Sequence, residues 1–263
     1  LIHDGYAEIQ ADKGGQRTII RRWGEVDRPV IHLDLDSDAP VSVTASYESW
    51  RTEEKELLDV PDGSRARFTC FNLEGYPGRV LRVKDEISHT ADGVLFYHRN
   101  PPEKLIPEVL IAQQGLEAHA GEINDDIADR TFGGKLTGEG FEPAGEGAGT
   151  YMITPYRSWK ISSTEARADH RLRVVTHIDQ AATVEGWKSD LEELVQATGG
   201  DQTEAFEQTN GWWHDFWERS WIHIFPGEAQ PDNPVWQMGR NYQLFRYQLG
   251  GNTYGEYPTK FNG

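Results

Sequence analysis

The feature that most constrains this chain is a change of period at Thr183. Upstream, from Thr18 to about Ile178, apolar and polar residues alternate in short runs. Val30-Ile31-His32-Leu33-Asp34-Leu35 and Val41-Ser42-Val43-Thr44-Ala45-Ser46-Tyr47 show this best, and a period of two marks a half-buried strand. Asp36-Ser37-Asp38-Ala39-Pro40 between them has the composition of a hairpin turn. Further strands are expected at residues 66–71, 87–90, 93–98, 149–154, 158–162 and 172–178. Turn clusters such as Pro61-Asp62-Gly63, Gly75-Tyr76-Pro77-Gly78 and Ala91-Asp92-Gly93 separate them. No helical patterns alternate with these strands, so the expectation is an antiparallel β-sandwich and not βαβ units. The five glycines of residues 136–149 read as a loop between strands, and the acidic residues 115–130 as a solvated segment, a short helix or a strap.

After Thr183 the period becomes 3.6. Leu191, Leu194 and Val195 share one helical face, and Gly199-Gly200 suits a helix end. A second helix is expected from about 203 to 219, with Phe206, Trp213, Phe216 and Trp217 recurring along it. A third is expected over 234–249, where Asn233 can cap and Pro234 suits the first turn. Five of the nine tryptophans lie between Trp212 and Trp236. Their helical spacing favours a packed stripe over a sugar-stacking platform, and Trp213 and Trp217 should pack on the sandwich or on the third helix. That helix carries large apolar residues on several sides and needs surfaces to bury them, so the chain reads as the amino-terminal part of a longer protein. The organisation expected is a sandwich over 1–182, a Trp-rich helical linker over 183–232 and the start of a helical domain over 233–263.

Composition removes whole classes of function. With 26 Lys+Arg against 43 Asp+Glu the net charge is −17, and no basic stripe offsets it, which argues against a nucleic-acid partner. No apolar run approaches the roughly 20 residues of a membrane-spanning helix. Cys70 is the sole cysteine, so there is no internal disulfide. Asp34-Leu35-Asp36-Ser37-Asp38 resembles the opening of a calcium loop, but Ala39 and Ala45 occupy the places that need Gly and Glu. The nine histidines form no zinc signature, and no nucleotide-phosphate, dinucleotide or acyl-transfer motif is present. Neither a metal nor a cofactor is expected.

Tyr97-His98-Arg99-Asn100-Pro101-Pro102 places three polar side chains at a strand end. His98 is suited to bonding a ligand hydroxyl; the alternative is that Arg99 and Asn100 satisfy loop carbonyls. Glycoside hydrolysis needs two carboxyl groups across the scissile bond, and among 43 acids spacing alone selects no pair.

The run Trp212-Trp213-His214-Asp215-Phe216-Trp217-Glu218-Arg219-Ser220-Trp221-Ile222 adds a resemblance. Together with Tyr242-Gln243-Leu244-Phe245-Arg246-Tyr247 and Tyr257-Pro258-Thr259-Lys260-Phe261-Asn262-Gly263, it resembles bacterial glycosidase-like proteins that join an amino-terminal sandwich of the supersandwich type to an (α/α)-six barrel. The inverting α-L-fucosidases of glycoside hydrolase family 95 are the relatives it brings in. The resemblance implies a carbohydrate partner, an oligosaccharide or polysaccharide, and a periplasmic or extracellular location. It implies that this chain holds the sandwich, the linker and the first helix of a truncated barrel, with the catalytic acids downstream. On the same basis Lys260 and Asn262 begin the barrel's inner surface and are substrate-binding candidates, while His98 and Asn100 approach that site from the sandwich. No residue here is assigned a catalytic role. The alternative is a non-catalytic carbohydrate-binding or structural sandwich.

Overall fold

The computed structural model describes residues 5–56, 81–102, 105–200, 202–220, 222, 224, 227 and 230–252. The side chains of residues 56, 105 and 106 are outside that description. Among the described residues strand (43%) outweighs helix (29%), and every strand pairing is antiparallel.

Twelve strands follow one another as β1 (Tyr6–Lys13), β2 (Gln16–Gly24), β3 (Val30–Val41), β4 (Thr44–Ser49), β5 (Lys55–Glu56), β6 (Leu81–Arg82), β7 (Glu86–His89), β8 (Gly93–Arg99), β9 (Thr131–Gly138), β10 (Phe141–Tyr151), β11 (Thr154–Ser163) and β12 (Arg167–Asp179). Helix α1 (Leu105–Gln114) and a 3-10 turn (Glu117–Glu122) lie between β8 and β9. Three helices close the described chain: α2 (Val184–Ala197), α3 (Thr203–Glu218) and α4 (Pro234–Gly250). The large sheet has the order β1-β2-β3-β12-β9-β8-β7, and a smaller one the order β10-β11-β4.

The two sheets pack as a sandwich because the alternation in sequence puts apolar side chains on the facing sides. Val94, Leu136, Phe141, Trp159, Ile161 and Leu172 form the buried centre, with Leu33, Ala45, Tyr47 and Val174 around it. The opposite face of the large sheet is also buried, because α2 returns across it. Val30 and Val175 meet Trp187, Leu191 and Val195, which recur every four residues on α2. Two cations fasten this helix. Lys135 of β9 reaches Glu192 at 3.2 Å and Asp92 at 3.0 Å. Arg173 of β12 donates to the carbonyls of Thr198 and Val195, at the helix end where a positive charge is favoured.

Helix α3 covers the β1–β2 side of the same face. Phe206 meets the rings of Trp23 (5.2 Å) and Tyr6 (5.6 Å). A Cβ at Gly5 would stand 2.4 Å from the Trp213 ring, so glycine is what lets the chain approach that indole. Helix α4 lies against α3: Tyr247 stacks on Trp213 at 4.8 Å, and Arg246 sits over Trp217 at 4.9 Å.

Both period-based expectations hold, and the three carboxy-terminal helices fall where the spacing put them. Thr183 Oγ1 accepts from Gly186 N–H, and Asn233 Oδ1 accepts from Val235 N–H. Trp213 is buried between Gly5 and α4, whereas Trp217 is half-buried.

Three expectations are corrected. The strand expected at 149–154 is instead a hairpin, with β10 ending at Tyr151 and β11 starting at Thr154. Residues 36–40 are not a turn but part of β3, which runs to Val41 with an irregular register against β12 beyond Asp36. Asp36 takes Arg21 at 3.1 Å and Arg171 at 2.8 Å, and Asp38 accepts the backbone N–H of Arg17. Residues 136–149 are not one loop; apart from the two-residue turn at 139–140 they belong to the end of β9 and most of β10. Gly138 and Gly149 are strand residues at close approaches, for a Cβ at Gly149 would stand 2.5 Å from the Tyr156 hydroxyl and one at Gly138 2.5 Å from the Phe141 ring. Residues 117–122 form the 3-10 turn, within the segment read as a solvated one. The strand expected at 66–71 lies outside the described residues.

Trp187 is fully buried between the large sheet and the body of α2. Replacing it with alanine is expected to cost about 3–5 kcal/mol, read from urea unfolding curves. A loss below about 1 kcal/mol would mean that the helix is not seated on the sheet.

Candidate functional site

One end of the large sheet gathers the carboxy-terminal residues of β2, β8 and β12 and the first residues of β3 and β9. His98 stands there, next to the end of β8, on the side that faces the sandwich interior. Its neighbour on that side is Asp85, in the turn before β7. Nδ1 of His98 lies 3.0 Å from Asp85 Oδ1, and an ionised carboxylate can only accept. The Nδ1 proton is therefore on the imidazole.

Asp85 is the hub of this cluster. Ser49 donates to its Oδ2 at 2.8 Å, and Arg51 Nε stands 2.8 Å from its Oδ1. The backbone joins the same residues, since Asp85 N–H donates to the Arg51 carbonyl. Burial pushes the Asp85 carboxyl up, but the hydrogen bonds from His98 and Ser49 and the charge of Arg51 outweigh it, so the group rests below the ordinary 3.8. Tyr47 is displaced upward, first by burial and then by the negative charge of Asp85.

Phe132 connects the cluster to an apolar concavity. Its ring lies 5.2 Å from the His98 ring and 5.6 Å beneath the Arg51 guanidinium. Beyond it, Pro29, Phe96, Phe132, Gly133, Thr176 and Ile178 line a hollow of about 530 Å³. His98 and Arg51 touch Phe132 but do not line the hollow; its largely apolar, aromatic wall has the chemistry to hold a ring with an apolar face.

A second hollow of about 210 Å³ lies where α3 and α4 meet the β2–β3 turn, lined by Gly5, Glu25, Trp212, Trp213, Tyr247 and Gly250 among others. Glu25 is held by His32 at 2.7 Å and by Arg28, and these bonds keep it below its ordinary value despite burial. The Trp213 ring is already stacked on Tyr247 and Trp217, so it is a packing element here and offers no free face.

Of the expected site residues, His98 belongs to the cluster and Asn100 does not. Asn100 donates its side-chain amide to Ile127 O at 2.9 Å, and its backbone N–H to Arg130 O. Arg99 is occupied likewise, with Thr131, Asp129 and the carbonyls of Ala181 and Ala182. Lys260 and Asn262 lie outside the described residues. Sequence reasoning missed Asp85, Arg51 and Ser49. No motif joins them; the one signal is that each lies at or beside a strand end. Three carboxyl groups, Glu25, Asp85 and Asp92, are displaced downward from their ordinary values. None of those three suits a general acid, which must be held protonated.

Residues 1–222 match the sequence model of a family described as a domain of unknown function, DUF5703, over its amino-terminal part. The chain belongs to this family. The match spans the sandwich, α2 and α3, and ends before α4. No curated protein matches the chain. The DUF5703 region thus contains the whole Asp85 cluster and the hollow beside it.

Because the Asp85 pKa lies below its unfolded value, its contribution to stability is complete above about pH 4 and is lost as the pH falls through the folded value. Asp85→Asn is expected to lower stability by about 1–3 kcal/mol at pH 7. The deficit should shrink at pH 2–3, as urea unfolding at the two pH values would show. An equal deficit at both would mean that the charge is not what the cluster uses.

Proposed function

We propose that this chain is the amino-terminal sandwich and linker portion of a carbohydrate-active glycoside hydrolase, related to the family 95 type, whose catalytic acids lie in a helical barrel that α4 begins. The observation that carries this reading is the outward face of α4. Arg246, Tyr247 and Gly250 turn toward α3. On another side Val235, Met238, Phe245 and Leu249 form a stripe at helical spacing, 46, 62, 57 and 55% exposed. Such a stripe is the packing face for a further helix. A twelve-helix barrel would require on the order of 400 further residues. The sandwich contributes the His98 edge to the sugar site in this reading, and an extended glycan substrate goes with a periplasmic or extracellular location.

The hollow beside Phe132 favours a second reading, a non-catalytic carbohydrate-binding sandwich. An aryl-glycoside panel, assayed on this chain and on the polypeptide extended by its downstream coding sequence, separates the two. The hydrolase reading expects turnover by the extended protein alone, with Arg51→Ala raising its KM about tenfold. It fails if the 263-residue chain turns over substrate and loses that activity when one of its own acids is replaced. Glycan binding by a chain whose extension is inactive would support the second reading.

The exposure of Val235, Met238 and Phe245 makes a physical prediction as well. Light scattering on the isolated chain should show species above the 29.8 kDa monomer, and Phe245→Lys should return it to a monomer. A wild-type monomer at all concentrations would count against α4 as a packing face.

A further inference from the structure

His177 and Asp179 sit two residues apart on β12, so they project from the same face of the strand. That is the face α2 covers, and Asp190 of α2 arrives at the same place. One nitrogen of His177 and one oxygen from each carboxylate lie within 4.8 Å of one another. The His177 ring stacks on Trp187 at 5.7 Å, which fixes its plane between strand and helix. Its Nε2 is buried and has no hydrogen-bond partner, although a buried ring nitrogen normally has one. Two carboxylates side by side also repel each other, in a chain that already carries a charge of −17.

We propose that His177, Asp179 and Asp190 form a divalent transition-metal site that ties the end of β12 to α2. One imidazole and two carboxylates make a mixed nitrogen–oxygen set, which suits Zn²⁺ or Mn²⁺. Calcium, with its six to eight oxygen ligands, fits poorly. Both aspartates are exposed, so they can close the small distance that ligation requires, and water completes the shell. The ion relieves the carboxylate repulsion and adds a cross-link between sheet and helix. The sequence hides such a site, because its third member comes eleven residues after the second and on another element.

The test is thermal unfolding and titration calorimetry of the metal-free 263-residue chain with ZnCl₂, MnCl₂ and CaCl₂. Zn²⁺ or Mn²⁺ should bind one per chain and raise the Tm by about 5–10 °C at a hundredfold excess over Kd. Asp179→Asn and Asp190→Asn are on the surface and should leave the metal-free Tm within a few degrees while weakening binding at least tenfold. His177→Gln should weaken it as well. No binding of either ion below millimolar concentration overturns the proposal. So does binding unchanged in the two aspartate variants, which would place the ion on other histidines, and so does a preference for Ca²⁺.

Discussion

The structure depends on burying both faces of one strand. On β12, Leu172 points into the sandwich and Val175 toward α2, and both are buried. The strand pairs with β3 on one side and β9 on the other, so it holds the middle of the seven-stranded sheet. Neither covering layer would stand alone. Three strands cannot enclose the sandwich core without the large sheet, and a fourteen-residue helix is marginal in water without a packing face. Each layer buries apolar surface that the other cannot reach, at roughly 25 cal/mol per Å² removed from water.

Polar residues then set positions that apolar packing leaves undetermined. Lys135 and Arg173 fix where α2 sits along the sheet, and Arg21 and Arg171 fix the acidic half of β3. The Asp85 cluster ties the end of β4 to β8 across the two sheets. Each is a charge-assisted bond in a partly desolvated place, where it is stronger and more directional than at the open surface. That is why the end of the sheet holding His98 is well defined.

Much of the architecture was legible because it rests on periodicity. The alternation at Val30–Leu35, the helical recurrence of Leu191 and Val195, and the caps Thr183 and Asn233 are local signals, and local physics decides them. The misreadings arose where a distant partner overrides local composition. Asp36-Ser37-Asp38-Ala39-Pro40 looks like a turn until Arg21 and Arg171 are seen to pair with Asp36 across the ladder and the Arg17 backbone N–H to reach Asp38. The glycines of 136–149 suggest a loop until Tyr156 and Phe141 are seen to need the space. His98 stood out as a polar residue at a strand end, but its partners Asp85, Ser49 and Arg51 are 13 to 49 residues away and share no spacing rule. Asn100 carried the same local signal, and its side-chain amide donates to the Ile127 carbonyl.

The account makes β12 the spine of the fold and α4 an element packed mainly on α3. Amide hydrogen exchange tests that ordering directly. The amides of residues 172–175 should exchange only through global unfolding, with the same free energy as urea denaturation gives. Those of α4 should exchange through a smaller opening, at least about 2 kcal/mol lower, because one of its faces is largely exposed. Protection of α4 equal to that of β12 would contradict the account, since the helix would then unfold only with the sheet.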